Sequence, residues 1–436
     1  MGKVLVWNLI FRQRNLAHNE SDDSIIIRIK YMKFKNLNIE KWQQFGQVNI
    51  DFHDRLTIIT GANASGKTTL LSLLARHNQW NFMSLGVPLK NKQSGVTTFI
   101  MRMFNKAPIS QTSIGQIGYS DGSIAELIVP LSGEHAVYQV TIQPVRDVPS
   151  LYIPSHRSLF RYQQVQTINL QRRTRRAGYD MVSSTSRNRY NGNGENSPSY
   201  FIKEMLMAWN ILGHGNADMQ ADTRQLSFYS GFEDVLKKLL PQSLGFTKLS
   251  IQNYELILEC KSGNFIIDAA SGGLSALIDI AWQVYMYAPD SDQPYTVVID
   301  EVENHLHPVM QRRILPDLLN AFPNVTFVVS THSPLIISSV SDANVYALRY
   351  NDDNAVDSVE LNFVSKAQTA TEILDEVLGV SSTIPIWVEN SLKSILERYR
   401  GRELDQQSFT TLRGELASLG LDHYMPEALG TLLDAQ

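Results

Sequence analysis

The octapeptide Gly61-Ala62-Asn63-Ala64-Ser65-Gly66-Lys67-Thr68 constrains this chain more than any other stretch. It fits GxxxxGK[ST] and stands between a strand-like run and a helix-like one. Upstream, RLTIIT reads as a β-type segment; downstream, Leu70, Leu71, Leu73 and Leu74 supply the apolar content of a helix. Glycines in such a turn let successive backbone N–H groups and a helix N-terminus converge on an anionic phosphate. Gly61, Asn63, Ala64, Ser65, Gly66, Lys67, Thr68 and Thr69 are then the candidate cradle. Lys67 would reach the β- and γ-phosphates of a nucleotide, and the Thr68 hydroxyl would ligate Mg2+.

Three further elements follow in order. Val297-Val298-Ile299-Asp300-Glu301 is an apolar strand closed by two carboxylates. Successive strand residues face opposite ways, so the pair can divide its work: Asp300 in the shell of a metal ion, Glu301 as general base toward water. In isolation such a pair is often a solvated turn; downstream of a phosphate loop the catalytic reading is the stronger. Ser271-Gly272-Gly273 opens a helix before that strand, where bare N–H groups suit a phosphate. Ser330-Thr331-His332-Ser333-Pro334 follows the next apolar strand, VTFVVST, and places His332 where it can meet a γ-phosphate or the attacking water.

Length and composition bound the alternatives. A chain of 436 residues suggests two or three domains, and 43% hydrophobic content is ample for a large core. Net charge is -4, from 39 Lys+Arg against 43 Asp+Glu, so affinity for nucleic acid would need a local basic patch. Cys260 is the single cysteine, which excludes an intramolecular disulfide framework and any CxxC zinc site, and fits a reducing cytoplasm. No window reaches the ~18 consecutive apolar residues of a membrane span.

Along the chain, residues 1–31 read poorly as domain sequence, and strand-like character begins at Met32. Residues 96–148 alternate apolar runs with turn signals, as antiparallel hairpins do, and SLYIP at 150–154 resembles a buried strand. The stretch 171–199 is polar and rich in Gly, Asn and Ser, which predicts a long flexible loop. Helical patterns occupy 200–240. A hairpin follows, and then a helix opening at Ser271 with apolar residues at 274, 277, 278, 281, 284 and 285. The tail is helical in pattern, with Thr369-Ala370-Thr371-Glu372 as a capping box and Pro385 opening another helix.

Taken in this order, the four elements resemble the ATP-binding-cassette (ABC) type of P-loop ATPase: Walker A at 61–68, signature at 271–273, Walker B at 296–301 and the switch histidine at 332. The segments Asp300-Glu301-Val302-Glu303-Asn304-His305-Leu306-His307-Pro308 and Ser330–Pro334 are similar to those of the OLD/RecF-like AAA ATPases, many of which serve bacterial anti-phage systems. The resemblance implies an α/β ABC-ATPase head over 32–350, with a mixed central sheet, an antiparallel β subdomain and a helical lobe at 200–290. A mainly helical C-terminal subdomain would follow at 351–436. It further implies ATP and Mg2+ as ligands, and two heads sandwiching two nucleotides. Ser271, Gly272 and Gly273 would then serve the partner's ATP, and Glu303 to His307 would let the two sites sense each other.

The pattern departs from the family's in places. Leu274 stands where the signature usually has Gln, and Ala270 where it has Leu. Ser155, His156, Gln163 and Gln164 are all candidates for the Q-loop role. Tyr152-Ile153-Pro154-Ser155-His156-Arg157 resembles a segment of stand-alone defence ATPases, which marks Arg157 as functional or as a plain surface arginine. Between Lys67 and Ser271 no sustained heptads occur, against a long coiled-coil arm. Val388-Glu389-Asn390 only faintly echoes a TOPRIM start and no Asp-x-Asp pair follows it, so the expectation is an ATPase without that nuclease domain.

Arg172, Arg173, Arg175, Arg176, Arg187 and Arg189, with Tyr179 and Tyr190, could neutralise nucleic-acid phosphates or sit in a solvated or partner-binding loop. The resulting expectation is a cytoplasmic ATPase, dimeric at least with ATP, acting as sensor or switch in anti-phage defence. It would control a separate effector, nuclease or toxin, with the 369–436 tail as docking or assembly surface. The alternatives are a RecF-like DNA-repair ATPase and, behind it, a transporter's nucleotide-binding subunit.

Overall fold

A computed structural model describes residues 31–90, 97–104, 107–157, 159–190, 197–288, 293–361, 373, 386–399, 406–418 and 420–426. Eleven strands form its large sheet. In chain order they are β1 (Phe34–Trp42), β2 (Phe45–Asp51), β3 (Leu56–Gly61), β4 (Ser113–Tyr119), β5 (Ile124–Ile128) and β6 (Thr141–Gln143). They continue as β7 (Ser150–Ile153), β8 (Tyr295–Ile299), β9 (Val325–Thr331), β10 (Asn344–Tyr350) and β11 (Val356–Glu360). Across the sheet they run β6-β5-β4-β1-β2-β11-β10-β3-β9-β8-β7.

The sequence explains why this sheet changes character half-way. β3, β7, β8 and β9 are buried at every position, because the sheet is covered on both faces there. Within β8, Val297 and Ile299 enter one core while Val298 enters the other, as period-two geometry requires. These strands and β10 pair parallel. On the other side, β1, β2, β4, β5 and β6 pair antiparallel. β1 alternates accordingly, with Leu37 and Ile39 buried and Lys35 and Glu40 outside the core.

Helix α1 (Lys67–Ala75) leaves β3 through the glycine loop. A lobe follows β7: α2 (Arg175–Tyr190), α3 (Pro198–His214), α4 (Thr223–Leu239) and α5 (Gly272–Tyr287). A three-stranded antiparallel sheet, Phe246–Gln252, Glu255–Cys260 and Phe265–Ile266, comes between the last two. Trp209, Phe232 and Trp282 meet at the lobe's centre, with Trp282 5.9 Å from Trp209 and 5.1 Å from Phe232 between ring centroids. Asp222 caps α4 by accepting from the Arg224 and Gln225 amides. Further on lie α6 (Pro308–Ala321), α7 (Pro334–Ile337), α8 (Ile386–Tyr399) and α9 (Gln406–Ser418). Val388, Leu392, Ile395, Leu412 and Leu416 belong to a small core of the tail. The capping box at 369–372 and Pro385 lie outside the described residues. Among the described residues no helix is long and apolar enough to cross a membrane.

Over Arg175–Tyr190 the flexible loop expected at 171–199 is corrected by α2, and residues 191–196 lie outside the described residues. Composition argued for a loop because polar and charged residues fill the stretch, yet two apolar anchors suffice: Tyr179 and Val182 are buried in the main core. The arginines are held as well. Arg173 makes two bonds to the Glu204 carboxylate, at 2.6 and 2.7 Å. Arg172 pairs with Asp222 at 2.8 Å. Arg175 lies over the Tyr285 ring at 5.1 Å and Arg176 over Tyr287 at 4.7 Å. Four of the six arginines offered for phosphate contact thus have partners within the protein, Arg173 partly buried and Arg172 and Arg176 still exposed.

The lobe also buries a charged triad. Lys203 has no exposed surface and pairs with Asp268 and, at 3.3 Å, with Glu255. Removing one member of such a group leaves an uncompensated buried charge, which costs roughly 3–5 kcal/mol, whereas an exposed pair contributes about 1 kcal/mol or less. Lys203→Met is expected to lose stability in the first range and Arg172→Ala in the second. Urea unfolding of the two variants beside the parent checks the ordering, and equal losses would contradict it.

Candidate active site

Three parallel strands deliver the site to one edge of the sheet. β9 lies between β3 and β8, pairing Thr331 with Thr60 on one side and Val329 with Ile299 on the other. This register brings the loop after β3, the carboxylates after β8 and the histidine after β9 to the same C-terminal edge, where open α/β sheets bind ligands.

The glycine loop is shaped by its surroundings. Gly66 has φ 97 and precedes the first turn of α1; a Cβ there would stand 2.3 Å from the Phe45 ring. Lys67, 6% exposed, donates from its ammonium to the Gly61 and Ala62 carbonyls at 2.9 and 3.1 Å. Burial pulls Lys67 below its ordinary pKa, against the charges of Glu301, Glu303 and Asp300. The Ser65 hydroxyl is buried without a hydrogen-bond partner among the described residues, which suits a loop built to meet phosphate oxygens.

Asp300 is fully buried. Its carboxylate accepts from the Thr68 hydroxyl at 2.8 Å and from the Ser330 hydroxyl at 2.5 Å. Burial raises its pKa, against those two bonds. One hydroxyl and one carboxylate side by side fit Mg2+, which takes few protein ligands and completes its octahedron with phosphate oxygens and water. Among the described residues there is no cluster of three or more His, Cys, Asp or Glu side chains able to hold a metal by themselves.

Glu301 sits in left-handed backbone, φ 45, and so does His305, φ 70. Asn304 donates to the Glu301 carboxylate at 2.8 Å and to the Ser155 carbonyl at 3.1 Å. Glu303, 4% exposed, accepts from the His332 ring at 3.0 Å and from its backbone amide at 2.6 Å. Arg157 is 7% exposed beneath this turn and donates to the Glu301 carbonyl at 2.9 Å and the Asn304 carbonyl at 3.2 Å. It is therefore no surface arginine.

Lys67, Thr68, Asp300, Glu301 and His332 thus converge. Ser271, Gly272 and Gly273 do not join them: they open α5, and a Cβ at Gly273 would meet the His305 carbonyl and Met310, not the glycine loop. Gln163 faces the lobe, its side chain accepting from the Ser197 amide at 2.6 Å, whereas the Ser155 carbonyl reaches the site through Asn304. The roles of Ser330 and Asn304 and the bond from His332 to Glu303 go beyond what the sequence motifs assign. The role of Ser330 could have been read from strand register, which sets it beside Asp300; that of Asn304 could not, because its contact depends on the turn's unusual backbone.

Residues 208–338 match the family profile described as "AAA domain, putative AbiEii toxin, Type IV TA system", and residues 36–76 match the profile "AAA domain". The mixed sheet, its glycine loop and its flanking helices are those of a P-loop ATPase head. The chain is 32% identical over 127 residues to the "Retron Ec83 probable ATPase" of Escherichia coli, covering 27% of this chain and 23% of that protein. It is 24% identical over 165 residues to the "Septu protein PtuA" of Bacillus thuringiensis, covering 35% of this chain and 42% of that one. The matched segments span less than half the length of either relative. Among solved structures it is similar to the "SMC head domain from Thermotoga maritima", at 14% identity and a TM-score of 0.39, covering 76% of this chain and 99% of that one.

The Glu303–His332 pair gives stability a pH signature. The bond to Glu303 raises His332 above its ordinary 6.5, against partial burial, so this contribution is whole below that value and is lost as pH rises through the raised one. Burial pushes Glu303 upward, but the bonds from His332 outweigh it and hold the carboxyl below 4.5; that contribution is lost as pH falls through the lowered value. The stability difference between the parent and Glu303→Gln should be largest between pH 4.5 and 6.5 and smaller at about pH 9. Denaturant unfolding at about pH 5.5 and 9 would read it, and a difference that grows toward the alkaline end would refute the pairing.

Proposed function

We propose that the chain binds and hydrolyses ATP as the switch component of a bacterial anti-phage defence system. The observation that carries the chemistry is the convergence of Lys67, the Thr68–Asp300 pair and Glu301 at one sheet edge. Loop N–H groups and Lys67 would hold the β- and γ-phosphates. Thr68 and Asp300 would hold Mg2+, which when bound neutralises charge on the phosphate oxygens. Glu301, oriented by Asn304, would take the proton of the water that attacks the γ-phosphorus as the bond to ADP breaks. His332, fixed by Glu303, would steady the γ-phosphate or that water. The retron and PtuA relatives support the defence setting.

That a Cβ at Gly273 would meet the His305 carbonyl and Met310, and not the glycine loop, supports sites completed between two copies. The signature of one head would close over the nucleotide of another, and hydrolysis would open the pair. Such a cycle can govern a separate effector only if that effector binds open and closed heads with different affinity.

Lys67→Ala is expected to abolish turnover. Glu301→Gln should bind ATP yet lose about 10²–10⁴-fold in kcat, the contribution of a general base, and accumulate as a closed dimer visible by light scattering. Parent activity should rise faster than linearly with protein concentration. Mixing Lys67→Ala with Ser271→Arg should restore part of it through one intact composite site. No recovery in demonstrated heterodimers would leave the sites independent, and full turnover by Glu301→Gln would remove Glu301 as base.

A further inference from the structure

We propose that Arg157 is a positioning residue for the hydrolytic carboxylate, holding the 300–304 turn in the backbone shape that presents Glu301 and tying that shape to the helical lobe. The inference rests on the reading of Glu301 as general base. Its guanidinium spans the turn: besides the bonds to Glu301 and Asn304, the Asp300 and Val302 carbonyls lie 3.3 and 3.4 Å away, and that of Pro154 3.4 Å. Two residues of this segment without glycine's freedom, Glu301 and His305, have positive φ. Such backbone persists only where its surroundings over-determine it. Arg157 is the group that does so, because a planar fork can serve several carbonyls at once and keeps its charge when buried.

The same residue belongs to a span anchored at both ends. At one end Ser155 and Arg157 hold the acidic turn, through the Asn304 amide and the carbonyls above. At the other, the Arg161 amide donates to the Ser197 hydroxyl, Tyr162 bonds Glu255 at 3.0 Å, and the Gln163 carbonyl takes a bond from Lys203. Lys203 in turn pairs with Asp268, three residues before Ser271. A shift of the lobe that carries Ser271 therefore pulls on the residues that orient Glu301. Burial lowers the pKa of Arg157, against the charges of Asp279, Glu303, Asp300 and Glu301, and a guanidinium in such company stays protonated.

The test uses the full chain as Arg157→Gln and Arg157→Lys, each alone and combined with Glu301→Gln. Folded protein is counted by nucleotide binding, and kcat and KM for ATP are measured per folded molecule. Both single variants should lose at least about tenfold in kcat, since a small misplacement of a catalytic group can cost about 10²-fold, with KM changed less than about threefold. Lysine should not rescue, because it lacks the fork. In the Glu301→Gln background neither substitution should lower kcat further, since a missing base has no position to lose. Losses that multiply with Glu301→Gln, full kcat in Arg157→Gln, or failure of both single variants to fold would each overturn the proposal in favour of a structural arginine. A parent whose ATP turnover survives Lys67→Ala and Glu301→Gln unchanged would instead sink the reading of the site itself.

Discussion

The Asp300 carboxylate is the joint on which this molecule turns. Two hydroxyls converge on it, from Thr68 in the first turn of α1 and from Ser330 near the end of β9, so one buried group ties three neighbouring elements. Such a carboxylate is costly unless its lone pairs are met. The bonds are possible only because β3, β9 and β8 are adjacent, parallel and in register; a slip of one residue in β9 would turn Ser330 to the opposite face. The hydrophobic strands thus decide the geometry of the polar edge, and the polar edge in turn holds the strand ends together.

Much of the central sheet could be read in advance because fully buried parallel strands leave an apolar trace that little else imitates. LTIIT, YTVVI and VTFVVST are such traces, and the glycine loop dictates that a helix succeeds the first of them. The site was legible wherever a residue acts by type and place: Lys67, Thr68, Asp300, Glu301 and His332 meet as their order along the chain suggested. It was not legible where a residue acts by geometry. Arg157 stood open between a functional and a surface arginine, because its partners are backbone carbonyls, which every sequence supplies, and no partner residue decides between the two. Asn304 works through a turn whose positive φ at Glu301 no composition announces.

The helix at 175–190 teaches the opposite lesson. Its stretch is polar enough to suggest solvent, but arginine is amphipathic, and its planar head packs on rings as readily as it pairs with carboxylates. Arg175 and Arg176 lie over tyrosines of α5, and Arg173 is matched to a buried glutamate of α3. The helix is held to the lobe by its charges as well as by Tyr179 and Val182. Polar composition therefore does not by itself mark the segment as a loop, because arginines can order a helix through rings and carboxylates.

A last consequence concerns portability. The glycine loop is often treated as a self-contained module, a short motif that brings phosphate affinity wherever it is placed. Here a side chain at Gly61 would run into the Leu348 carbonyl of β10, and one at Gly66 into Phe45 of β2. The loop is moulded between one strand that lies far along the chain and another that precedes it. Excised with only its own strand and helix, it would keep the sequence and lose the mould. A grafted copy would need both neighbouring walls as well, so the smallest transferable unit is the sheet, not the motif.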